Sequence, residues 1–175
     1  MTAPQETRLH RWTRWGPAAV RRLDTGVEAV VGDQTVELDV THRGLIYEQT
    51  SRPLRLGFYA CLEIGVLVRW NGEDVATIRH AEPRRLGLAR RSRYDVVGDD
   101  RFVVPGMQLT ERAIPPLLTL RADSGVLVSS RRWAEPLNIA VTEWSFVRED
   151  DVVPPRVRGG TRPEHVALWM AVRHA

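Results

Sequence analysis

Six arginines and a histidine fall within one short stretch, RHAEPRRLGLARRSR: Arg79, His80, Arg84, Arg85, Arg90, Arg91 and Arg93, with Glu82 as the only opposing charge. The guanidinium group is a planar fork of N–H donors that grips phosphate oxygens in pairs, so this spacing is suited to a phosphate-bearing ligand. Leu86 and Leu88 lie between the two arginine clusters, placed to anchor the segment or to dip toward a lipid surface. Close to an anionic membrane each basic residue contributes about 1 kcal/mol, and several together become substantial. The competing reading is a solvated strand-and-loop segment in a chain whose basic residues are all arginine. A second group, Arg8, Arg11, Trp12, Arg14 and Trp15, mixes cations with rings. It could hold a partner or stack on nucleic-acid bases, or its tryptophans could cover one end of a β structure.

Other chemistries find little support. Asp99-Asp100 and Glu149-Asp150-Asp151 are the carboxylate clusters. Paired carboxylates can do acid–base work or bind a divalent cation, but both fall where turns are expected and read as solvated loop residues. His10, His42, His80, His165 and His174 are scattered without H-E-x-x-H or C-x-x-C spacing, so no metal site is expected. Cys61 lies among Phe58, Tyr59, Leu62 and Ile64 and reads as an inert buried thiol. The sequence holds no G-x-S-x-G elbow, no G-x-x-x-x-G-K-[ST] loop and no G-x-G-x-x-G fingerprint. It has no lysine at all, which removes Schiff-base chemistry by a side chain. No catalytic residue and no cofactor is nominated.

The 175 residues suffice for one domain with a real core, residues 1–25 forming an N-terminal segment and 152–175 a connector and terminal helix. The apolar share of 43% and charged share of 27% belong to a water-soluble fold. All 25 basic residues are arginine, yet 22 carboxylates leave a net charge of only +3, too small an excess to argue for nucleic acid. MTAPQETRLHRW lacks the apolar core of a secretory leader, and the longest apolar run, 166–172, is far below the roughly 18 residues of a membrane span. A cytoplasmic protein, able to lie peripherally on a membrane, is expected.

The elements that must position these residues are mostly β. Residues 34–40 alternate with Val36, Leu38 and Val40 on one face, and Gly32-Asp33 separates them from 27–31 as a hairpin turn would. The strongest signal is 66–70 and 74–80 around Asn71-Gly72, a pair suited to a type I′ turn. Further strands are expected at 45–49, 55–60, 94–97, 102–104, 117–121, 126–130 and 138–148, with prolines at the breaks. Residues 17–23, following Gly16-Pro17, could form a short helix with proline in its first turn.

The tail, TRPEHVALWMAVRHA, is different. Thr161 and Glu164 have the spacing of a capping box, and Pro163 would fall harmlessly in the first turn. At 100° per residue no face of 166–172 is polar, so the helix should be enclosed rather than on the surface. Leu168, Trp169 and Val172 should be deeply buried. The fold expected is therefore mainly β: an antiparallel barrel of about ten to twelve strands around a buried C-terminal α-helix.

The order LVRWNGEDVATIRH, RRLGLARRSRYDVVGDDRFVV, LLTLRADSGVLVSSRR and finally EHVALWMAVRH resembles the tubby C-terminal-like superfamily, which includes LURP-one-related proteins and phospholipid scramblases. The likeness is one of pattern over most of 27–175, and RWTRWGPAAVRR matches less well. It implies strands closed around a hydrophobic helix, and a non-enzymatic binding or scaffold module whose ligand is an anionic phospholipid headgroup held by Arg79, Arg84, Arg85, Arg90, Arg91 and Arg93. Two other classes remain open: a protein-interaction or virion structural component, and a lipocalin-like carrier of an apolar small molecule, which would need the open interior that the helix would fill.

Overall fold

Asn71 and Gly72 have φ of 50° and 87°, the left-handed conformation that a two-residue hairpin demands at both central positions. The Asn71 side chain secures the turn further, its Oδ1 accepting from the Thr35 N–H at 2.9 Å. This hairpin lies near the middle of one antiparallel sheet in a computed structural model that describes residues 9–40, 65–81, 91–112, 117–130 and 156–175. The strands are β1 (Leu9–Thr13), β2 (Gly16–Leu23), β3 (Gly26–Val31), β4 (Gln34–Asp39), β5 (Val66–Trp70), β6 (Glu73–His80), β7 (Arg91–Gly98), β8 (Gln108–Arg112), β9 (Leu117–Ala122), β10 (Gly125–Ser129) and the two-residue β11 (Arg156–Val157). Each pairs with its neighbour in chain order, β1 through β11, and one helix, α1 (Pro163–His174), follows.

Alternation along each strand sends one set of side chains inward. Val27, Ala29 and Val31 on β3, Val36 and Leu38 on β4, Ile78 on β6, Tyr94 and Val96 on β7 and Leu118 and Leu120 on β9 are all buried. They share one core with α1, whose residues from Glu164 to Val172 are all buried. Leu168 is 0% exposed and Trp169 and Val172 each 1%, as the uniformly apolar tail requires. The Trp169 indole N–H donates to the Leu118 carbonyl at 3.0 Å, so its one polar atom is satisfied inside the core.

The helix packs mainly on β3 and β4, and also meets β2, β9 and β10. Strands from both halves of the order thus reach one helix, which requires a sheet curled about it. Among the described residues β1 and β11 are not paired with each other, so closure into the expected barrel is not detected.

Several local expectations are corrected. Residues 17–23 are not helical but belong to β2, where Ala18 is buried and each residue from Ala18 to Leu23 pairs with β3. The ladder bonds offered by β3 outweigh a short helix that would have had no tertiary partner. The capping box does not form: Arg162 is the N-cap with no side-chain cap bond, because the Thr161 hydroxyl donates instead to the Leu127 carbonyl at 3.1 Å. Pro163 does fall at the helix start. Residues 102–104 are not a strand: Phe102 lies in a turn and Val103 and Val104 in irregular chain after it, the Phe102 and Val103 N–H groups both donating to the Asp99 carbonyl, at 2.9 and 2.8 Å. The strand after this turn is β8, which the sequence did not suggest. The expected strands at 45–49, 55–60 and 138–148, and Cys61, lie outside the described residues.

Candidate functional site

Inward Ile78 fixes the parity of β6, so Arg79 points outward and is exposed; inward Tyr94 and Val96 do the same for Arg93 on β7. The two are diagonal neighbours: Arg79 stands opposite Asp95, and the Arg93 carbonyl accepts from the Ala81 N–H at 3.1 Å. Among the described residues neither guanidinium forms an ion pair. Arg91 opens β7 opposite Arg112. Arg84, Arg85 and Arg90 lie outside the described residues. The structure thus brings together the two ends of the arginine segment on one outward face.

Register extends that face to residues far away in sequence. Asp95 pairs with Gln108, and Gln108 with Arg121, giving one outward row of Arg79, Asp95, Gln108 and Arg121 across β6 to β9. The Gln108 amide donates to the Asp95 carboxylate at 2.8 Å. The adjoining row is Arg93, Thr110 and Thr119. Arg121 is exposed and, among the described residues, without an ion pair. It was not nominated from the sequence, although the inward Leu118 and Leu120 on either side of Thr119 already fixed its outward direction.

The other half of the outer face has a different electrostatic character. Arg21, Glu28, Glu37, Arg69 and Asp74 form one cross-strand row from β2 to β6. The Arg69 guanidinium reaches Glu37 at 2.9 Å, Asp39 at 3.0 Å and Asp74 at 2.9 Å. Partial burial works against its charge, but these carboxylates outweigh it and hold its pKa above the usual value. Arg21 is raised likewise by its hydrogen bond to Glu28. Arg101 pairs with Asp99 at 2.7 Å, and that hydrogen bond lowers the Asp99 pKa, which ties up one of the two turn carboxylates. Arginine is therefore used in two ways among the described residues: Arg21 and Arg69 are neutralised by carboxylates, while Arg79, Arg93 and Arg121 form no ion pair.

A buried polar cluster lies where α1 begins. His165 is 2% exposed and its Nε2 lies 2.7 Å from the Phe102 carbonyl oxygen, which also accepts from the Arg162 guanidinium at 2.9 Å. The carbonyl can only accept, so Nε2 carries the proton. Burial is the main cause of a lowered His165 pKa; Arg162 adds to it, while the Phe102 bond and Glu164 oppose it. Glu164, also buried, approaches Arg162 Nε at 2.8 Å as a charge contact rather than an aligned hydrogen bond. The Phe102 ring meets His165 edge-on at 5.7 Å and Trp70 at 5.6 Å. These groups anchor the start of the helix.

Of the N-terminal group, Arg14 lies over the Trp15 ring at 4.5 Å and donates to the Thr161 carbonyl at 3.2 Å, while Trp15 packs against the core. That arrangement covers the core beside the start of α1. Arg8 lies outside the described residues. An open depression of about 310 Å³ borders β7 and the turn after it, lined by residues including Val97, Val103, Pro105 and Met107. Among the described residues no group of His, Cys, Asp and Glu is placed to hold a metal ion, and no helix is long and apolar enough to cross a membrane. Comparison with protein-family models, curated proteins and solved structures finds no match.

Proposed function

We propose that the protein is a non-enzymatic binding or scaffold module of the tubby C-terminal-like kind, its sheet closing as a barrel around α1 and its segment 79–93 engaging anionic phospholipid headgroups. The observation that carries this reading is the contrast between arginines. Arg21 of β2 and Arg69 of β5 are held in ion pairs, whereas Arg79 and Arg93, together on one outward face, are exposed and unpaired among the described residues. An exposed guanidinium without a carboxylate partner keeps its fork of donors for phosphate. The buried helix met by strands from both halves of the sheet supports the barrel form and leaves little interior for an apolar cargo.

Flotation with phosphatidylcholine vesicles, alone and mixed with phosphatidylserine, tests the ligand. Binding only to the mixed vesicles is expected, weakening as salt rises. Replacing Arg84, Arg85, Arg90 and Arg91 together by alanine should release the protein. Absence of binding at low salt removes the lipid assignment; binding indifferent to those four changes removes Arg84, Arg85, Arg90 and Arg91 from it.

A further inference from the structure

The unpaired arginines are not confined to the segment that the sequence singles out. Arg121 lies on β9, beyond β8 from Arg93, in the same outward row as Arg79. With strands about 4.8 Å apart, Arg79 and Arg121 are separated by roughly 14 Å across the sheet. That is too wide for one phosphate group and suits an extended array of anions. Two exposed valines flank the cations on the same face. Val97, on β7, is 49% exposed, and Val126, opposite Arg121 on β10, is 45% exposed. They are the large apolar side chains that stand out as exposed among the described residues.

From this juxtaposition we infer that the outer face of β6 to β10 is itself a membrane-docking surface, lying against an anionic bilayer with Arg79, Arg93 and Arg121 on headgroup phosphates and Val97 and Val126 at the interface. The inference rests on the lipid reading above but assigns the contact to the sheet face rather than to the loop segment alone. Three arginines without ion pairs among the described residues, against the single carboxylate of Asp95 in their row and bordered by exposed aliphatic groups, match a bilayer surface, where electrostatic attraction and shallow apolar burial add. Single-stranded nucleic acid would call for rings on which bases stack, and the described outward positions from β6 to β10 carry none. The ion-paired face of β2 to β5 offers no comparable field.

The test is partitioning of the full chain onto phosphatidylcholine–phosphatidylserine vesicles, with circular dichroism confirming that each variant is folded. R121A should weaken partitioning about fivefold and R93A/R121A roughly 30-fold, from about fivefold per basic residue. V97S/V126S should weaken it to an extent that salt does not change, because its loss is apolar. R22A, an exposed arginine on β2 removed from this face, should change it less than twofold. The inference is overturned if R22A costs as much as R121A, which would leave only net charge. It is also overturned if R93A/R121A binds like the wild type while the variant of Arg84, Arg85, Arg90 and Arg91 does not; that pattern keeps the headgroup reading and places it in the loop. A wild-type chain that ignores these vesicles at low salt removes both.

Discussion

The His165 Nε2–H of α1 donates to the Phe102 carbonyl across 63 residues of sequence, at 2.7 Å in a buried setting. It joins the start of the helix to the turn between β7 and β8, and Arg162 donates to the same oxygen. The bond is made by neutral imidazole, and protonation would place a second cation beside Arg162, 3.1 Å away.

A pH dependence follows. Burial lowers the His165 pKa in the folded chain below its ordinary 6.5, so the unfolded chain binds the proton more readily. This contribution to stability is complete above the unfolded pKa and is lost as pH falls from there toward the folded value. Urea unfolding of the wild type should therefore give lower stability at pH 5.5 than at pH 7.5. H165Q, which retains an N–H donor but does not titrate, should show a shallower decline over that window. An unchanged slope would mean that other groups dominate acid destabilisation.

Among the described residues Trp169 is the largest fully buried side chain, and it uses its indole N–H on Leu118. W169A should cost about 3–5 kcal/mol through the cavity left in the core. W169F should cost less, retaining most of the packing and losing one hydrogen bond, about 0.5–1.5 kcal/mol, because the Leu118 carbonyl still accepts from the Ser130 N–H at 3.0 Å. Equilibrium denaturation measures both. A cost below about 1 kcal/mol for W169A would show that the helix contributes little to holding the sheet.

Gly106 has φ of 68°, and a β-carbon there would run into the Asp123 carboxylate. The turn is also tied by the Asp123 N–H donating to the Pro105 carbonyl at 2.9 Å. G106A should destabilise by about 1–3 kcal/mol from the backbone conformation together with the clash. In the G106A/D123A double variant the clash is relieved and only the conformational part should remain. If the two changes add without coupling, the carboxylate is not what forbids a side chain at position 106.

Much of the local structure was legible in the sequence. Asn71-Gly72 named its own turn because few residue pairs accept positive φ at both positions, and the alternation of 34–40 was visible because one face is buried against α1. The errors fell where a distant partner decides. Residues 17–23 have helix-compatible residues, but β3 supplies a full ladder to them. Thr161 has the right spacing to cap, but the Leu127 carbonyl takes its hydroxyl. Residues 102–104 look like a strand by composition, yet Phe102 is buried in a turn that folds back onto Asp99. β8, QLTER, shows only one strongly apolar residue, Leu109, which gives alternation too little contrast to be seen.

The sequence by itself determined that α1 is enclosed, since seven successive apolar residues leave no face for water, and it determined the inward or outward sense of residues within a strongly alternating strand. Which arginines work together was decided only by the tertiary structure. Period two tells that Arg93 and Arg121 each point away from buried neighbours, but not that β8 lies between them or that Asp95 and Gln108 complete the row to Arg79. Register is a property of paired strands, set by bonds between segments distant in the chain. So Arg21 and Arg69, held by Glu28 and Glu37, differ from Arg79, Arg93 and Arg121, which form no ion pair among the described residues, through what register places beside them. The Asp95 carboxylate opposite Arg79 accepts from Gln108 instead, and Arg93 and Arg121 stand opposite Thr110 and Gln108.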